Sequence, residues 1–302
     1  MYNNESSDSH VTMTSTNLSI AAYVLAADTS KLVESISSYY KLVTKIVISC
    51  DQTSRGWTGA PIRVSDVISI VRSFDTDNKC VIHYGDYSRA EFNVDPMAGE
   101  TFQRNEALSF AAEYGDWILQ IDSDEVVADV AALLRWIHFA DKNGYNSLEW
   151  PLSVVYRKFG NNHLTVCASD GTPLYEYPGS IALRAGYPVV HARRVSCNML
   201  RLTVMGDVNS KSLLNKVDVN ETRLECLRHD QAIDHYSWSR SASEIFEKVR
   251  SWGHSNGLQS YAYVVFVWLL SPITYRFLRN IHPMSGPLWP RLTVLKRGEL
   301  CE

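Results

Sequence analysis

A chain of 302 residues with 45% hydrophobic and 21% charged residues can bury one large α/β domain or two smaller ones, and lies far from the composition of disordered proteins. Its net charge of -4 excludes a general nucleic-acid binder, which needs a Lys/Arg excess to displace counterions from phosphate. The six cysteines form no C-x-x-C pair, which excludes a zinc knuckle or redox motif, and they read as reduced, mostly buried thiols.

Residues 1–17 form a Ser/Thr/Asn-rich tail, expected to be flexible, with no Lys, no Arg and no apolar stretch. That composition excludes an ordinary signal peptide and makes the cytoplasm the expected compartment. Leu18 to Ala26 is an apolar run of strand length; Asp28, Thr29 and Ser30 follow as cap candidates, then Leu32, Val33, Ile36, Tyr40 and Val43 at helical spacing. Lys45 to Cys50 is a second strand, closed by Asp51, and Val67, Ile68, Ile70, Val71 and Phe74 mark a second helix. Lys79 to Tyr84 is a third strand. Thr101 to Tyr114 carries a helical stripe at Ala107, Leu108 and Ala111, with Gly115 placed as a C′ glycine, and Trp117 to Ile121 is a fourth strand breaking into Asp122. Such β-then-α units predict an α/β domain with a mainly parallel sheet, in which ligands bind beyond the strands' carboxyl ends. Asp51 and Asp122 both fall there.

From Leu148 to Met205 the pattern changes to short strands (Leu148 to Tyr156, Ile181 to Arg184, Val189 to Arg193, Leu200 to Met205), read as antiparallel strands closing the sheet. Ser241 and Glu244 have capping-box spacing at the start of a helix reaching about Trp252. From Arg240 onward eight basic residues face four acidic ones, so a basic, aromatic end sits on an acidic body. The run Tyr261 to Leu270 is too short to span a bilayer. Its aromatics Tyr261, Tyr263, Phe266 and Trp268, with Arg276, Arg279 and Arg291 after them, suit peripheral membrane contact; the same run also suits a helix buried on the sheet.

The feature richest in chemistry is Trp117-Ile118-Leu119-Gln120-Ile121-Asp122-Ser123-Asp124-Glu125. Two carboxylates one residue apart beyond a buried strand can divide their tasks between a hard divalent cation and a ribose hydroxyl or metal-bound water. Eighteen aspartates in 302 residues make about one Asp-x-Asp expected by chance, so context decides between the two present. Asp75-Thr76-Asp77 lies in a polar turn after a helix, whereas Asp122-Ser123-Asp124 ends a strand. No P-loop or G-x-G-x-x-G is present.

Arg104-Asn105-Glu106-Ala107-Leu108, Ala111-Ala112 and Gly115-Asp116-Trp117 running into Asp122-Ser123-Asp124-Glu125 together resemble the family 2 glycosyltransferases of GT-A fold, over about residues 18 to 127. Asp234-His235-Tyr236-Ser237-Trp238-Ser239, through Glu244 and Lys248, is similar to a segment of the subset acting on bacterial envelope sugars. The resemblance implies a Rossmann-like nucleotide-sugar-binding half at 18–147, an acceptor-side half at 148–240 and a helical extension at 241–302. It implies inverting transfer from a nucleotide-sugar donor, usually UDP-linked, to a glycan or lipid-linked glycan of a capsule or lipopolysaccharide, with Mn²⁺ or Mg²⁺. Asp51 would then accept from the base, Arg104 face the base or diphosphate, Asp122 contact ribose and Asp124 bind the metal. His235 is the candidate further metal ligand and Lys248 a candidate phosphate ligand, with a core histidine and a surface ion pair with Glu244 as the alternatives. The family's usual Glu-Asp pair is missing, so the catalytic base is sought at Asp207, then at Asp218, Glu221 or Asp170. Two rivals remain open: a sugar nucleotidyltransferase, though Ala26-Ala27-Asp28-Thr29-Ser30 lacks its Gly-rich basic loop, and a non-catalytic nucleotide-sugar or glycan binder.

Overall fold

The apolar runs Ile20–Leu25 (β1) and Ile46–Asp51 (β2) are buried along their whole length, as central parallel strands covered on both faces must be. In the computed structural model, which describes residues 18–159, 162–210, 220–251 and 258–295, they lie beside Cys80–Gly85 (β3) and Trp117–Gln120 (β4) in parallel register, in the order β4-β1-β2-β3. Leu32–Tyr39 (α1) and Val64–Phe74 (α2) cross between these strands, and Ala90–Val94 (α3) leads into Pro96–Ala111 (α4). Asp95 caps α4 by accepting from the Ala98 amide at 3.1 Å. The helix therefore starts five residues before the expected Thr101.

Gly115 does not serve as a left-handed helix cap. Its φ is not positive, and a Cβ there would sit 2.5 Å from the Ala21 amide nitrogen. The glycine lets the turn into β4 press against β1. Nor do Asp28, Thr29 and Ser30 cap α1: its N-cap is Lys31, with no side-chain cap bond.

The eight-stranded sheet continues through Ser180–Arg184 (β10), Ser147–Glu149 (β6), Met199–Val204 (β13) and Glu221–Leu227 (β14). Of the four stretches expected to be antiparallel, only β10 lies antiparallel within this sheet, between β4 and β6. Met199–Val204 runs parallel to both its neighbours. The expected strand Leu148 to Tyr156 divides at Pro151, which cannot donate to a ladder. Its second part, Leu152–Phe159 (β7), belongs to a six-stranded sheet with Asn162–Cys167 (β8), Tyr175–Glu176 (β9), Ile233–His235 (β15), Glu125–Val126 (β5) and Arg291–Leu295 (β16). Val189–His191 (β11) pairs with Arg194–Val195 (β12) in a separate two-stranded sheet. The sheet is mixed but mainly parallel, as its β-α units predict.

One core packs α1, α2 and Val130–Lys142 (α5) on the large sheet, and a smaller one covers the opposite face beneath α4. A further core joins β7 and β8 to Ile245, Val249, Val264, Trp268, Ile281 and Trp289. The chain beyond residue 240 is thus not wholly helical, since it contributes β16 to the second sheet. The capping box is present: the Ser241 amide donates to Glu244 Oε2 at 2.8 Å and the Glu244 amide to Ser241 Oγ at 3.3 Å. The helix it opens is described over Ala242–Ser251, so Trp252 lies outside the described residues, as do the tail 1–17 and Cys301. Among the described cysteines, all unpaired, Cys50 and Cys167 are buried and Cys80, Cys197 and Cys226 are half-buried.

Gly115→Ala is expected to lower stability by about 1–3 kcal/mol through overpacking against β1, read as a lower urea midpoint at unchanged m. An unchanged midpoint would contradict the close approach.

Candidate active site

Beyond the carboxyl end of β4 the chain turns sharply, the Asp122 amide donating to Glu125 Oε2 at 3.0 Å. Short strand β5 follows and pairs antiparallel with β15, which sets His235 opposite Glu125. The Tyr236 amide donates to Asp124 O at 2.8 Å. Strand pairing, rather than proximity in sequence, brings the histidine beside Asp122-Ser123-Asp124.

Asp122 is held by two buried guanidiniums. Arg104 on α4 donates to both its oxygens at 3.1 and 3.2 Å, while also binding Glu100 and the Tyr23 hydroxyl. Arg193 pairs with Asp122 and donates to Glu125 Oε1 at 2.7 Å. Arg193 reaches this position from the tight β11-β12 turn, where Ala192 takes a φ of 49° and Ser180 N binds Arg193 O. Burial pushes the Asp122 carboxyl up, but Arg104 and Arg193 more than offset it and hold it below the usual range. Burial dominates at Glu125 and raises it.

Asp124 faces a second set of cations. Arg240 donates to its Oδ2 at 2.6 Å and pairs through its other terminal nitrogen with Asp28, and Lys248 Nζ lies 3.9 Å from the same Oδ2. Burial opposes ionisation, yet His235, Arg240 and Lys248 together hold the Asp124 carboxyl well below its usual range. Lys248 itself falls to about 8, mainly through burial and then the neighbouring Arg240. Its ammonium donates to Ser237 O and Oγ at 3.0 and 2.6 Å rather than to Glu244.

Asp124 Oδ1 stands 3.9 Å from His235 Nε2, while the other ring nitrogen lies 3.7 Å from Glu176 Oε2. Trp289 Nε1 donates to Glu176 Oε1 at 2.9 Å. Burial lowers the imidazole's proton affinity, but Glu176 and Asp124 more than reverse this. Metal-binding histidines are commonly oriented by such a carboxylate at the far nitrogen. Among the described residues no group of three or more His, Cys, Asp or Glu side chains is gathered for a metal. Mg²⁺ is characteristically bound through one or two carboxylates and completed by phosphate and water, so Asp124 would be the residue to hold such an ion here, with His235 beside it.

A cleft of 450 Å³ opens beside these charges, between the loop after β1, the loop at residues 55–63 and the helix Ala242–Ser251. Ala27, Arg55, Trp57, Gln103, Arg240 and Lys248 line it. Gln103 accepts from Trp57 Nε1 at 2.8 Å and donates to Ser49, which fixes the indole. An exposed ion pair, Arg63 to Glu247 at 2.7 Å, joins the cleft's two sides. The volume lies in the range of small-molecule sites.

The remaining candidates make other contacts. Asp51 is buried and accepts from the amides of Thr53, Arg55 and Tyr87 and from the Thr53 hydroxyl, all from its own and the neighbouring loop. Those bonds lower its pKa against the effect of burial, and the carboxylate closes loops rather than facing the cleft. Arg104, expected to face base or diphosphate, is buried and reaches the site through Asp122. Asp207 accepts from the Tyr177 hydroxyl at 2.8 Å and from Ser210. Glu221 is sandwiched by Arg201 and Arg223 on β14, and Asp170 closes an exposed turn with Thr172. Asp218 lies outside the described residues. Arg193, Arg240, Asp28 and Glu176 belong to the site without having been singled out, because their contacts join chain segments far apart in sequence.

No protein-family model matches the chain, and no curated protein does. Among solved structures, 4-diphosphocytidyl-2C-methyl-D-erythritol synthase from Anaerococcus prevotii aligns with a TM-score of 0.33 and 13% identity over 56% of this chain and 70% of that one. Overlap at that level fixes neither activity nor substrate.

Arg193→Met should cost about 3–5 kcal/mol, because it leaves the buried Glu125 without its cation and half-buried Asp122 with Arg104 alone. Chemical denaturation measures this; a loss below 1 kcal/mol would show that the carboxylates find other partners.

Proposed function

We propose that the chain is a metal-dependent glycosyltransferase that moves a sugar from a nucleoside diphosphate donor, UDP-linked by resemblance, to a hydroxyl of a bacterial surface glycan or lipid-linked glycan. The observation that carries this reading is Asp124 at a strand's carboxyl end, with Oδ1 open toward His235 Nε2 and a cleft of nucleoside size alongside. In the transfer the bond from the anomeric carbon to the diphosphate oxygen breaks, the acceptor oxygen bonds to that carbon with inversion, and the hydroxyl proton passes to a general base, for which Asp207 is the first candidate.

The nucleoside would occupy the cleft beside Trp57 and Gln103, with Asp122, 32% exposed but outside the lining of the cleft, as the ribose contact that the resemblance implies. Arg240 and Lys248 border both the cleft and Asp124, the position in which cations meet a diphosphate. Asp124 and His235 would hold Mn²⁺ or Mg²⁺, which supplies the charge that stabilises the departing diphosphate. Glu176, 3.7 Å from the far nitrogen of His235, would hold the imidazole there electrostatically.

A thermal-shift panel of UDP-, GDP-, CMP- and TDP-sugars with and without Mn²⁺ tests the reading. One nucleotide should stabilise the protein in a metal-dependent way, by about 2.7 kcal/mol at 100 times its Kd. Asp124→Ala should abolish that shift in a folded protein. Metal-independent stabilisation would remove the metal from the site, and pyrophosphate release from a nucleoside triphosphate and a sugar phosphate would replace glycosyl transfer with nucleotidyl transfer.

His235→Ala separates a ligand from a core residue. As a ligand, its loss should raise the Mn²⁺ concentration for half-maximal nucleotide stabilisation by about tenfold or more. Equal metal requirements in variant and wild type, with only a lower Tm, would make the histidine structural.

A further inference from the structure

Between Arg250 and Arg276 the sequence contains no Asp, Glu, Lys or Arg. Within that stretch Leu258–Tyr263, a π-turn over Val264–Trp268 and Ser271–Thr274 make a nearly continuous helical segment. The π-turn closes with the Leu269 amide donating to Val264 O at 2.9 Å. One side of the segment is core: Val264 and Trp268 are buried, Trp268 Nε1 donates to Trp238 O, and the Arg157 guanidinium stacks on the indole. The aromatics expected to face a membrane are thus divided, with Trp268 buried, Tyr261 and Tyr263 half-buried and Phe266 exposed.

The outer side is apolar as well. Phe266 is 70% exposed, Leu270 45%, Ile273 82% and Phe277 80%. These residues recur at intervals of four, three and four, with Phe266 in the π-turn, Leu270 and Ile273 around the start of the next helix and Phe277 three residues beyond its end. Soluble chains seldom expose large side chains in such a row without a partner. Exposed Arg276 and Arg279 flank Phe277 and bind only Tyr275 OH and nearby carbonyl oxygens, with no carboxylate in ion-pair range among the described residues. Arg291, grouped with them in the sequence, instead donates to Ser169 O at the second sheet. An apolar row bordered by uncompensated guanidiniums is complementary to a surface that is hydrocarbon within and anionic at its head groups. A second copy of the chain would bring the same arginines against each other. Among the described residues no helix is long and apolar enough to cross a membrane.

We infer that the row Phe266, Leu270, Ile273 and Phe277, with Arg276 and Arg279, docks the protein on an anionic phospholipid surface without spanning it. This rests on exposure and charge and does not depend on what the cleft binds. Its back is fixed by Trp268 to Trp238, three residues from His235, so a docked protein holds the candidate site at a set orientation to the bilayer. An acceptor carried on a lipid would meet it there.

Flotation of the full chain with phosphatidylcholine vesicles, with and without phosphatidylglycerol and with no nucleotide or metal present, is the test. Binding is expected to the anionic vesicles at low salt and to weaken as salt rises. Arg276→Gln with Arg279→Gln should weaken partition about fivefold per arginine, and Phe266→Ser with Phe277→Ser about tenfold or more per ring. Because these side chains are exposed, Tm and any nucleotide shift should be unchanged in both variants. No flotation with anionic vesicles, or flotation untouched by the Phe substitutions, overturns the inference. A dimer by light scattering that the same substitutions dissociate also overturns it, giving the row to a second copy.

Discussion

The site rests on neutralising buried carboxylates. Asp122, Asp124 and Glu125 lie at the end of a buried strand, where an unpaired charge costs several kcal/mol. Each is held by a cation delivered from elsewhere: Arg104 from α4, Arg193 from the β11-β12 turn, Arg240 from just before the helix Ala242–Ser251 and Lys248 from within it. Arg240 ties in Asp28 and Arg104 ties in Glu100, so every guanidinium of the array already has a carboxylate. The array is balanced before any ligand arrives. A diphosphate entering it brings negative charge that these cations can meet only by loosening their present pairs. The divalent ion proposed at Asp124 would add positive charge there, which is the electrostatic case for a metal beside so many arginines.

That pairing also explains which parts of the molecule were legible in the sequence. The first four strands are mostly apolar runs and their helices have apolar stripes at helical spacing, so their existence and parallel direction follow from local pattern. Asp122 and Asp124 were legible because a strand ends at them. Asp51 occupies the same kind of position, yet an aspartate at a strand end can equally bind the amides of its own loop, and residue type does not distinguish the two. The helix-start pattern at Asp28 was misleading for a similar reason: a short carboxylate can cap a helix or reach an arginine, and Arg240 lies 212 positions away.

The second half was less legible because its strands are short and serve two sheets. Pro151 moves the chain from one sheet to the other within a single apolar stretch, and β10 inserts antiparallel between strands it does not adjoin in sequence. Alternation along a strand reports which face is buried and says nothing of the neighbour's direction, so β13 reads alike in either sense.

The segment beyond residue 240 belongs to the candidate site as much as the strand ends do. Arg240 and Lys248 reach Asp124 directly, Trp289 orients Glu176, Glu176 faces His235, and Trp268 binds the carbonyl of Trp238 on the segment that carries His235. Trp238, Trp268 and Trp289 share one core with Val154 and Tyr156 of β7, and β7 pairs with β15 beside His235. A shift of the outer helical segment relative to the second sheet would therefore displace His235 and Arg240 together, one the candidate metal ligand and the other the cation on Asp124. Whatever seats that outer surface acts on the same two side chains that decide how Asp124 is neutralised.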